Sequence, residues 1–189
     1  IGDMPIALEN AVAAVCHDGE SQKIFLLGGR YKLPGDKTTT YSDKVMKYDP
    51  KSNKWSTFDF KNDNGEKLKL AAGTGVAISK NKIAIFGGDK GLIFNKIESF
   101  NNKLSQPDLE DREKVNNEKI GVLTSHMGFE TDIYIFNAVK SNCQKSGSIP
   151  DLTQVTTSAF YWGKSIIIPS GEIKPGIRTP MIKSITFRN

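Results

Sequence analysis

Near the C-terminus the chain reads Ser170-Gly171-Glu172-Ile173-Lys174-Pro175-Gly176-Ile177-Arg178-Thr179-Pro180. One carboxylate and two cations stand close together, within a frame of two glycines and two prolines. A carboxylate can take a proton as a general base, and a guanidinium can hold an anion with a two-pronged fork. Glycine and proline restrict the backbone in opposite ways and together fix a turn. The stretch follows Ser165-Ile166-Ile167-Ile168-Pro169 and is expected to be the loop that leaves a buried strand. Glu172, Arg178 and Lys174 are the residues of the stretch whose types could do such chemistry. Arg178 could instead form a structural ion pair with Glu172 or a sheet edge, and Lys174 could be solvated.

The elements that must position these groups repeat along the chain. Small and alternating apolar residues run into a short polar turn, then into an apolar strand that ends in glycine. Ala11 to Val15 leads to Ile24-Phe25-Leu26-Leu27-Gly28-Gly29, and Ala71 to Ile78 leads to Ile83-Ala84-Ile85-Phe86-Gly87-Gly88. Thr156 to Tyr161 leads, through Trp162-Gly163-Lys164, to Ser165 to Pro169 and then Ser170-Gly171. Each reads as a hairpin of central strands. In the first unit Val45 to Pro50 and Trp55 to Phe58 follow as a third and a fourth strand. In the second, Ile133 to Asn137 is the third strand, and Cys143 follows Phe136 at the distance at which Trp55 follows Tyr48. The third unit stops at Ile185 to Asn189, a third strand without a fourth.

This pattern resembles the kelch repeat of β-propellers. The expected fold is all-β, with about three four-stranded blades at roughly 11–60, 70–148 and 152–189. A charged, Asn-rich segment, residues 94–124, carries Ile97, Phe100 and Leu104 at helical spacing and is expected to be a partly helical insertion. A closed propeller needs roughly four to eight blades. The chain therefore reads as the C-terminal half of a larger propeller, with the other half, or a second copy of the chain, as partner. Residues 1–9 read as a link from an earlier blade.

Composition narrows the function classes. The chain has 189 residues, 38% hydrophobic and 25% charged, which suits a globular domain. No apolar run is long enough for a membrane span. The net charge of +5 is scattered, so a nucleic-acid surface is not expected, although a mild positive field favours an anionic ligand. Cys16 and Cys143 lack metal-ligand spacing and are read as buried thiols. His17 and His126 are isolated, and no metal site is expected.

Phe86-Gly87-Gly88, then Ile93-Phe94-Asn95, a long insertion, and Gly171-Glu172-x-Lys174-Pro175-Gly176-x-Arg178-Thr179 together resemble the bacterial N-acetylneuraminate epimerase (sialic acid mutarotase) family. The position of the last motif near the end of the chain is similar to the cyclically permuted mutarotase branch. The resemblance implies a six-bladed propeller and an isomerase that interconverts the α and β anomers of N-acetylneuraminate, without a cofactor, with Glu172 as the proton acceptor, Arg178 on the substrate carboxylate and Lys174 as an auxiliary cation. It also implies a bacterial source and favours an extracytoplasmic, periplasmic location, a cytoplasmic one remaining possible. Arg30, after the first glycine pair, and Asn95, after the second, are further candidate substrate contacts. Asp89 and Lys90 could pair with each other, His126 is a weaker site candidate, and Tyr161 and Trp162 are expected to pack in the blade. The alternative is a non-catalytic kelch module that binds a protein or sugar ligand; the acid-base motif distinguishes the two.

Overall fold

The computed structural model describes residues 2–187. Two antiparallel sheets have four strands each. The first comprises β1 (Val12–His17), β2 (Gln22–Leu27), β5 (Lys44–Asp49) and β6 (Lys54–Asp59), in that order. Between β2 and β5 the connection carries a short ladder of β3 (Arg30–Tyr31) and β4 (Thr40–Tyr41). The second sheet runs β7 (Thr74–Ser79), β8 (Lys82–Phe86), β9 (Asp132–Asn137) and β10 (Asn142–Ser148). A third sheet has three strands, β11 (Phe160–Trp162), β12 (Ser165–Lys174) and β13 (Ile177–Ile185).

The run Ile83-Ala84-Ile85-Phe86 is apolar at every position because β8 is buried on both faces. Ile83 and Ile85 join the core shared with Phe25, Leu27 and Val45 of the first sheet. Ala84 and Phe86 join Ile166 and Ile168 of the third. Successive side chains of a strand point to opposite faces, so β8 holds three layers together. The repeat spacing is met in register: Tyr48 faces Trp55 across β5 and β6, and Phe136 faces Cys143 across β9 and β10. Cys16 and Cys143 are free and buried, and burial pushes the Cys143 thiol up to about 12.

Two sequence expectations are corrected. Ser170 to Pro180 is not a loop that leaves a strand. Strand β12 continues to Lys174 and returns as β13 from Ile177, so the motif is the tip of a hairpin. Pro175 at the first corner and Gly176 with φ +76 at the second carry the type II turn signature. The third strand of this unit is accordingly Ile177–Ile185 rather than the stretch from Ile185 onward, and Arg188 and Asn189, like Ile1, lie outside the described residues. Pro180 hid this strand. It sits where the register slips between Pro169↔Ile182 and Gly171↔Thr179, a bulge where a missing N–H leaves no ladder bond unmade.

The insertion is more helical than expected and starts earlier. It forms α1 (Leu92–Leu104) and α2 (Arg112–Thr124), which pack on each other between β8 and β9. Gly91 caps α1 with φ +91, and a Cβ there would come within 2.7 Å of the Tyr41 ring. Glu98 ties α1 to the β3–β4 connection, accepting from Lys32 Nζ at 2.6 Å and from the Thr39 backbone N–H at 2.6 Å. Among the described residues no helix is long and apolar enough to cross a membrane.

Candidate functional site

The repeat continues into the site. Gly28 and Gly87 have φ of +64 and +62, and Ser170 stands in the same place with φ +45. The residue two positions on is Arg30 in the first unit, Asp89 in the second and Glu172 in the third. Each exchanges both backbone hydrogen bonds with a residue at the entry to its own unit: Arg30 with Glu9, Asp89 with Ala71, Glu172 with Val155. The residues after those three partners, Asn10, Ala72 and Thr156, all have positive φ. They are chained together, Ala72 N–H donating to Asn10 C=O and Thr156 N–H to Ala72 C=O. Three unlike side chains are thereby set on one ring.

Arg30, Asp89 and Glu172 line a single cavity of 230 Å³, together with Asn10, His126 and Pro175. Glu172 is held by the turn of its own hairpin, with Oε1 accepting the Gly176 backbone N–H at 2.6 Å. The register slips again between Glu172 and Lys174, and a bulge of this kind re-aims the adjacent side chain. Arg30 is mostly shielded. Its guanidinium carbon lies 3.9 Å from the centre of the Phe94 ring, and its Nε lies 3.4 Å from the Glu9 carboxylate. The cation–π contact fixes the fork in place.

Asp89 does not pair with Lys90. It accepts a hydrogen bond from the Tyr41 hydroxyl and one from the Gly91 backbone N–H at 3.2 Å, while Lys90 pairs with Glu130 at 2.6 Å. Burial, then the bond to Asp89, holds the Tyr41 phenol well above its ordinary value, so it stays a donor. His126 is buried, and its Nδ1 accepts the Gly128 backbone N–H at 3.0 Å. Burial is the main cause that lowers its pKa; Asp89 opposes the shift and Lys174 adds to it.

The other sequence candidates fall outside the cavity lining. Arg178 is exposed on β13, directly opposite Glu172 in the ladder. Lys174 is half-buried beside the turn. Asn95 lies on α1, and its buried Oδ1 has no hydrogen-bond partner among the described residues. Trp162 is 74% exposed instead of packed, and Tyr161 is also exposed. Sequence reasoning gave Asp89 no role in the site and did not find Tyr41. The repeat held the signal for Asp89, since it follows its glycine pair as Arg30 does. Tyr41 lies in a two-residue strand, too short for any periodicity.

The N-acetylneuraminate epimerase family model matches residues 5–189. The chain belongs to the N-acetylneuraminate epimerase family. Relatives of that name include one from Brucella melitensis biotype 1, 30% identical over 176 residues, which covers 88% of this chain and 43% of the relative. Another, from Salmonella typhi, is 25% identical over 183 residues, 97% of this chain and 45% of the relative. A solved structure of YjhT superposes with a TM-score of 0.72 at 20% identity, over 93% of this chain and 47% of that one. The sheets are thus blades of a kelch-type propeller. The chain spans about half the length of these relatives and of that solved chain.

Proposed function

We propose that the protein is a sialic acid mutarotase, interconverting the α and β anomers of N-acetylneuraminate, with Glu172 as general base. The observation that carries this is the placement of Glu172, within the family's loop motif, on a cavity it shares with a shielded guanidinium. Opening a pyranose requires removal of the anomeric hydroxyl proton as the carbonyl forms and the bond to the ring oxygen breaks. Glu172 takes that proton, the ring oxygen takes one from solvent water, and reclosure on the opposite face of the carbonyl reverses both transfers. Arg30 holds the sugar carboxylate within the cavity, and Arg178, across the ladder from Glu172, supplies a second cation at the rim. The test is NMR of freshly released α-N-acetylneuraminate with the full-length protein. Accelerated appearance of the β anomer is expected, and exchange at the spontaneous rate would rule the activity out.

We further propose that additional blades, from another segment or a second copy, complete the site. The third sheet turns Phe160, Trp162, Ile177 and Met181 to solvent, and a propeller blade normally covers such residues. A particle mass near 20.8 kDa by light scattering would contradict this.

A further inference from the structure

Part of the cavity wall takes no part in the acid–base chemistry. Ile93, Phe94 and Ile97 line it from α1, and Phe129 lines it from the segment after α2. Ile93 and Ile97 stand one helical turn apart and so share a face of the helix. That helix is held in place by Glu98 on Lys32 and Thr39, and by Asn102 on the Lys37 carbonyl. His126 stands on the same cavity, with its ring edge-on to Phe129. Because Nδ1 accepts the Gly128 N–H, the imidazole proton sits on Nε2. Nε2 makes no hydrogen bond among the described residues, so it is a free donor. With its pKa held down by burial, the ring is neutral at pH 7. A neutral donor beside an apolar wall is poorly matched to a carboxylate or a polyol. It is matched to a short acylamino group, which offers a carbonyl to accept and a methyl to bury.

We propose that this face is an acyl subsite: the acetamido methyl of the sugar acid packs against Ile93, Ile97 and Phe129, and its carbonyl accepts from His126 Nε2–H. The inference rests on the sugar-acid reading above and assigns one substituent of that substrate to the wall built by the insertion. A sugar acid with a hydroxyl in place of the acetamido group loses the methyl contact and leaves the His126 donor unpaired.

Anomer exchange by the full-length protein, followed by NMR, compares N-acetylneuraminate with that hydroxyl analogue. The analogue is expected to show kcat/KM lower by about 10–200-fold, the range for losing a small apolar group from a fitted pocket. Ile97→Ser is expected to narrow the ratio by slowing the acetylated sugar alone. Equal kcat/KM for the two sugars would overturn the subsite and leave the mutarotase reading standing. No acceleration of either would overturn the reading beneath it. Saturation-transfer NMR on bound N-acetylneuraminate is independent of turnover. The acetyl methyl should receive the strongest transfer, and a methyl signal no stronger than that of the glycerol chain would overturn the subsite.

Discussion

Glu172→Gln should slow enzymatic anomer exchange by about 10²–10⁴-fold, the usual worth of a positioned general base, while the sugar still binds. The substitution is nearly isosteric. The glutamine carbonyl can accept the Gly176 N–H as Oε1 does now at 2.6 Å, so the hairpin tip keeps its shape. What disappears is the group that takes the anomeric proton. Arg30 and the apolar wall are untouched, so affinity is retained. The measurement is the decay of the α-anomer signal in NMR, beside saturation transfer to the bound sugar. A variant that turns over at the native rate would remove Glu172 from the mechanism. One that neither binds nor turns over would make it a binding residue instead.

The largest effect on stability is expected at Phe136. Its side chain is fully buried in β9, with the Phe25 ring at 5.6 Å and the Phe58 ring at 6.4 Å. Both neighbours belong to the first sheet, so Phe136 is the wedge between two blades. Phe136→Ala should cost about 3–5 kcal/mol in lost transfer energy and residual cavity. Single domains are stable by only about 5–15 kcal/mol, so the variant should unfold at a far lower urea concentration. Phe136→Leu, which keeps most of the volume, should lose much less. An unchanged midpoint for the alanine variant would mean that the two sheets do not depend on this contact.

How much was legible in the sequence depended on how local the signal was. The paired strands ending in Gly28-Gly29 and Gly87-Gly88 were legible because an apolar run and a glycine with positive φ occur side by side. So was the reason for the glycines, which is close approach of backbone to backbone. A Cβ on Gly28 would lie 2.2 Å from the Leu70 carbonyl oxygen, in the approach to the second unit. The third unit was misread past Pro169 because its prolines and charges break the alternation. Only the partner strand shows that Pro180 falls in a bulge. Glu172 and Arg30 were found from type and position. That they share a cavity with Asp89 follows from three equivalent backbone pairings far apart in sequence. Helix α1 was legible from spacing, but the surface it covers was not, because its ties to the chain run through single side chains, Glu98 and Asn102.

The insertion has a bearing on how such a protein can change. In the first sheet the link between the second and third strands is residues 28–43, and in the second it is residues 87–131. Closing a connection roughly three times as long costs only about 1 kcal/mol in chain entropy, because that cost grows with the logarithm of length. The ties from Glu98 and Asn102 to the neighbouring connection offset a loss of that size. A blade can therefore carry half a cavity wall in its connector at almost no expense to the fold. Within that connector, α1 and α2 can be exchanged without disturbing a rung of the sheets, and the range of ligands can drift while the scaffold stays fixed.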